Sequence, residues 1–126
     1  MAVYKNIEME HMIASLEPLL DRTDKIGYAA ARNTRILRTE AQEYFTRRDE
    51  LIQKYGTEKL DKDGNPTGMS KIRIGSPEFE QYANEIQEWA LIEHEPELFV
   101  LDYEEAIGKL SGAQLLDLDW MFEDKA

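Results

Sequence analysis

The chain has no cysteine, which excludes a disulfide scaffold, thiolate metal ligation and a cysteine nucleophile together. Histidine is nearly as scarce. His11 and His94 are the only two, leaving little material for imidazole bases or a histidine-rich metal centre. Seven glycines include no phosphate-cradling motif, since Gly64 and Gly68 do not make one. No apolar run approaches the roughly 18–20 residues of a membrane span, and Met1–Glu10 carries no signal-peptide pattern. The expectation is a soluble intracellular protein with no membrane partner and no cofactor.

What the chain has in abundance is charge. Its 126 residues hold 15 basic and 26 acidic side chains, for a formal charge of −11. At 42% hydrophobic and 10% aromatic it can still bury a core, so one domain spanning 1–126 is expected. The charge is unevenly placed. Met1–Tyr55 holds 9 basic and 9 acidic residues, whereas Gly56–Ala126 holds 6 and 17. Ile74–Gly108 contains ten acids and no lysine or arginine. Such polarity shapes the choice of partner rather than the fold. It makes direct nucleic-acid binding unexpected, because that relies on neutralising phosphates.

Periodicity predicts a mainly α protein with a minor β element. Asn6–Leu20 has helical spacing at Ile7, Met12, Ile13, Leu16, Leu19 and Leu20, and Pro18 interrupts its last turn. Thr23–Asp24 then reads as the start of a helix reaching Tyr55, stopped by Gly56 and frayed near Gly27. Along it Ala30, Leu37, Tyr44 and Leu51 fall seven apart as a heptad-like seam. Thirty-three continuous residues would span about 50 Å, against a diameter of roughly 35 Å for a compact chain of this size. The overhang predicts a homodimer formed through that seam, unless the helix breaks near Gly27 or Asn33 and folds back.

Residues 57–75 form the expected hairpin or loop insertion. Glu58–Leu60 is one arm, Lys71–Ile74 an alternating strand, and Asp61–Gly68 a run of turn formers. Ser76-Pro77-Glu78 opens another helix, with Phe79, Tyr82, Ala83, Ile86, Trp89 and Ala90 as its buried stripe and Pro96 as its end. Leu98–Leu101 reads as a short strand. Ser111 and Gln114 make a capping box, with Leu110 and Leu115 placed as a hydrophobic staple.

No constellation carries catalysis, so the chain is expected not to be an enzyme. His11 and His94 are read on unrelated helix faces. Glu93, His94 and Glu95 point about 100° apart on a helix and cannot converge on one ion. Counting from Asp61 as a calcium loop puts Pro66 at the sixth position and Ile72 at the twelfth, where glycine and glutamate are required. No metal site is expected. Arg32, Arg35 and Arg38 drift around their helix, with Arg47 and Arg48 further on. They either lace a solvated face or dock on the acidic helix, in the same subunit or another.

Four segments together resemble small proteins of unknown function encoded by tailed phages of Gram-positive bacteria. They are the Asn6-Ile7-Glu8 lead into Leu16–Leu20, the Ala/Arg-rich stretch Ala29–Leu37, Leu51–Gly56 closed by Asp63–Asn65, and Leu110–Leu118. The resemblance implies a phage accessory protein acting in the host cytoplasm, and it transfers no functional residue. The expected function is to bind and modulate or inhibit a host or phage protein, such as a defence factor. Glu85, Glu88, Glu93 and Glu95 would then imitate nucleic-acid charge in a basic groove. The alternative is an assembly-associated or virion structural protein.

Overall fold

The computed structural model describes residues 2–124, and the side chains of all of these except 58, 59, 68 and 69. Along the chain run β1 (Tyr4–Lys5), α1 (Asn6–Leu16), α2 (Lys25–Glu40), α3 (Gln42–Tyr55), β2 (Thr57–Leu60), β3 (Pro66–Lys71), α4 (Pro77–Ala90), β4 (Glu93–His94), β5 (Leu101–Asp102), α5 (Gly112–Asp117) and β6 (Phe122–Glu123). The fold is mainly α, with five helices and two-stranded ladders among the described residues. Contacts divide the chain into two compact units, one of residues 42–92 and one of the flanking stretches up to 41 and from 93.

The predicted helix from Thr23 to Tyr55 is in fact two helices. Ala41, fully buried, adopts φ −94°, ψ 9° between α2 and α3, outside the helical well. The unit boundary falls at the same place. Alanine is the best helix former, so propensity gives no hint of a break there. The continuous 33-residue helix on which the 50 Å span rested is therefore replaced by α2 and α3.

In the flanking unit, α1 starts where the Glu8 carboxylate accepts the Lys5 N–H at 2.9 Å. It buries Met9, Met12 and Leu16 on the face packed against α2. Pro18 sits in a 3₁₀ turn over Glu17–Leu19, where a missing N–H costs little. Asp24 caps α2 by accepting the Gly27 N–H at 3.2 Å and is held by Arg22 at 2.6 Å. The Arg22 guanidinium, with the Gly27 amide, lowers its carboxyl from an ordinary 3.8 to about 2. Gly27 does not fray the helix. A Cβ there would lie 2.1 Å from the Arg22 carbonyl oxygen, so only glycine lets the entering chain cross this close to the first turn.

The chain returns to this unit through β4, which pairs antiparallel with β1, Tyr4 opposite His94 and Lys5 opposite Glu93. β5 pairs parallel with β6, and α5 between them opens on the expected capping box. Gln114 N–H donates to Ser111 Oγ at 3.1 Å and Ser111 N–H to Gln114 Oε1 at 3.0 Å. The strand expected over Leu98–Leu101 shrinks to its last residue. The Asn33 side chain takes the place of a neighbouring strand. Its Nδ2 donates to the Phe99 carbonyl at 2.9 Å, and its Oδ1 accepts the Phe99 N–H at 2.7 Å.

Residues 42–92 fold from neighbouring pieces. Ser76 Oγ accepts the Phe79 N–H at 3.2 Å, with Pro77 at the first helical position. α4 packs on α3, burying Tyr44, Leu51 and Ile86 beside Phe45, Tyr55, Tyr82, Trp89 and Ala90. It ends at Ala90 rather than at Pro96. β2 and β3 form the hairpin, Thr57 opposite Lys71 and Leu60 opposite Pro66. Its second arm therefore precedes the predicted Lys71–Ile74. Ile74 is 82% exposed, so the alternation there has no apolar surface to cover. In the turn, Asp61 Oδ1 accepts the N–H groups of Asp63 and Asn65, both at 2.9 Å. Gly64 supplies the φ of +81° that side chains avoid.

Candidate functional site

The residues singled out from the sequence do not converge on one place. Ala30 and Leu37 are fully buried in the flanking unit, and Leu51 and Tyr44 (3% exposed) in the other. The chain covers its own seam. All four side chains are buried within a single copy of the chain.

The four glutamates also part company. Glu85 is half-buried on α4 and engaged by α3. The Tyr55 hydroxyl first, then the Lys54 ammonium at 3.6 Å and Arg47, hold its carboxyl below the usual range. Lys54 in turn lies over the Tyr55 ring, 5.0 Å from its centroid. This is an internal contact. Glu88 is exposed on α4, Glu93 is exposed in β4, and Glu95 is exposed just beyond it. His94 is on a strand, not a helix, and its Nδ1 lies 3.1 Å from Glu40 Oε2. Among the described residues no group of three or more His, Asp or Glu side chains could hold a metal ion. No helix among them is long and apolar enough to cross a membrane.

The arginines yield a site that the sequence did not. At 100° per residue, Tyr28, Arg32, Arg35 and Thr39 fall within about 60° on one side of α2, while Arg38 falls well outside it. Tyr28, Ala31, Arg32, Arg35 and Ile36 line an open groove of about 530 Å³. Arg32 is fixed in it from two sides. Its guanidinium lies 4.9 Å from the Phe99 ring centroid, and Nη1 donates to Tyr28 Oη at 3.2 Å. The Tyr28 ring meets the Phe99 ring edge-on, centroids 5.6 Å apart.

Phe99 is held in turn by the Asn33 clamp. Arg35 and Arg38 are exposed, and among the described residues neither has an ion-pair or hydrogen-bond partner. Among the described residues no acid laces these two, and the bases that act on Glu85 of α4 are Lys54 and Arg47 of α3.

No family model, curated protein or solved structure matches this chain.

The groove-building pair Asn33 and Phe99 escaped the sequence reading, although one signal was present. Ile26, Ala30, Asn33 and Leu37 are spaced as one buried helix face. A lone amide in an apolar stripe must find partners, because an unpaired buried polar group costs about 1–3 kcal/mol.

Proposed function

We propose that this chain is a non-enzymatic accessory protein that binds a host or phage protein in the host cytoplasm and modulates it. It does so by presenting carboxylates to a basic surface that normally receives nucleic acid. The supporting observation is how the acids of α4 divide. Glu85 is engaged by Lys54 and Tyr55, whereas Glu78, Glu80 and Glu88 are exposed and, among the described residues, have no basic partner. The carboxylate engaged in packing is neutralised, and the others are left to solvent. Glu93 and Glu95, which belong to the other unit, are exposed as well.

Attraction of this kind rests on charges screened over about 8 Å at physiological ionic strength. Capture of a partner from host lysate should therefore weaken with added salt and be competed by duplex DNA. It should be lost in the triple charge reversal Glu80→Lys, Glu88→Lys, Glu95→Lys, with the helical circular dichroism unchanged. Capture that ignores salt, DNA and the triple reversal would overturn the reading.

A further inference from the structure

We infer that the groove along α2 is a second binding site, independent of the acidic surface, and that its occupant is an acidic segment of a partner protein carrying an apolar side chain between carboxylates. Two arginines one turn apart on an exposed helix face repel each other. The chain nevertheless places them there in a protein of charge −11, and leaves Arg35 without an acid among the described residues.

Arg32 is prepared in advance. The Phe99 ring and the Tyr28 hydroxyl hold it, so little rotamer freedom is lost when its planar fork meets a carboxylate. Asn33, fully buried, pins the backbone that carries Phe99. It is a positioning residue for Arg32. Ala31 and Ile36 give the groove an apolar lining between the charged groups, and Tyr28 is 58% exposed beside them.

The shape selects the class of occupant. Small-molecule sites enclose most of their ligand, but this groove is open along the helix, and a small anion would sit largely in water. An extended or helical segment can instead lie along it, with its apolar side chain against Ile36 and Ala31. Its carboxylates would then reach Arg32 and Arg35, as in acidic-motif recognition by arginine clusters. Charge complementarity identifies the segment as acidic, and the apolar lining separates it from a bare anion.

Fluorescence anisotropy of the full chain with a labelled peptide, a leucine flanked on both sides by glutamates, tests this. The expected result is saturable binding that weakens at least tenfold in Arg35→Glu and at least threefold in Phe99→Leu. Inorganic phosphate at equal ionic strength should displace it no better than chloride, and a peptide with lysines for glutamates should not bind. Arg35 is exposed, so thermal unfolding of Arg35→Glu should match that of the wild type. Glu80→Lys with Glu88→Lys should leave this binding in place, which separates its failure from failure of the acidic-surface reading. Absent binding, equal binding by Arg35→Glu, or displacement by phosphate alone would each overturn the proposal. So would light scattering that shows a dimer dispersed by Arg35→Glu, because the occupant would then be a second copy.

Discussion

Residues 42–92 are contiguous, and rings supply most of their interior: Tyr44, Phe45, Tyr55, Tyr82 and Trp89 around Leu51 and Ile86. The other unit is assembled from two stretches and is filled chiefly by flexible or aliphatic side chains, among them Met9, Leu16, Leu19, Ile26, Leu37, Leu118 and Met121. The first joins its pieces through short connections. The second must bring residues 66 apart into hydrogen-bonding contact at Asn33 and Phe99, and residues 80 apart at Lys25 and Glu105. Closing long loops costs entropy before any contact is gained. The discontinuous unit meets that cost partly with a directional polar clamp, and the contiguous one relies on packed rings. The same clamp also sets the platform under Arg32, so the site is built where chain closure is most specific.

The largest effect expected is in the contiguous unit. Leu51 is fully buried among the rings, and Leu51→Ala should cost about 2–5 kcal/mol by urea unfolding, because a cavity adds to the lost transfer energy. A loss near zero would mean that the ring cluster is not its core. Next is Asn33→Ala, which leaves the Phe99 amide and carbonyl without their partner. A cost of about 1–3 kcal/mol is expected, with faster amide exchange in residues 93–124 and unchanged exchange in the hairpin. Equal acceleration in both regions would erase the distinction drawn between them.

Ser76→Ala removes the cap of α4 and should cost about 1 kcal/mol, with exchange rising in the first turn of that helix alone. The smallest effect is present at neutral pH and is lost in acid. Asp24 has its carboxyl lowered from 3.8 to about 2, so its ionised form favours the folded state. That contribution is complete above pH 3.8 and is lost as pH falls through about 2. Asp24→Asn keeps an acceptor for the Gly27 amide but loses the charge. It should therefore be less stable than the wild type at neutral pH, and the gap should close on acidification across that window. A gap independent of pH would show that Arg22 does not act through the Asp24 charge.

Local chemistry made much of this protein legible. Ser76 and the Ser111/Gln114 pair mark helix starts because their side chains reach backbone donors only three residues away. The stripe from Phe79 to Ala90 and the Asp61–Asn65 turn are equally local. The mainly α class with a minor hairpin follows from such signals. The arginines and glutamates were visible as charges, but not whether anything inside the chain would neutralise them.

Tertiary structure decided the rest. A helix break at Ala41 carries no propensity signal. The heptad seam was a true apolar periodicity whose covering surface no periodicity can name, and the chain itself supplies it. The strand expected at Leu98–Leu101 yielded to Asn33, which lies 66 residues from Phe99. Sequence sets what each residue can bond and bury within a few positions of itself. Which distant group meets that capacity depends on how the chain closes, and here that closure turned a buried asparagine and a half-buried phenylalanine into the support of an arginine groove.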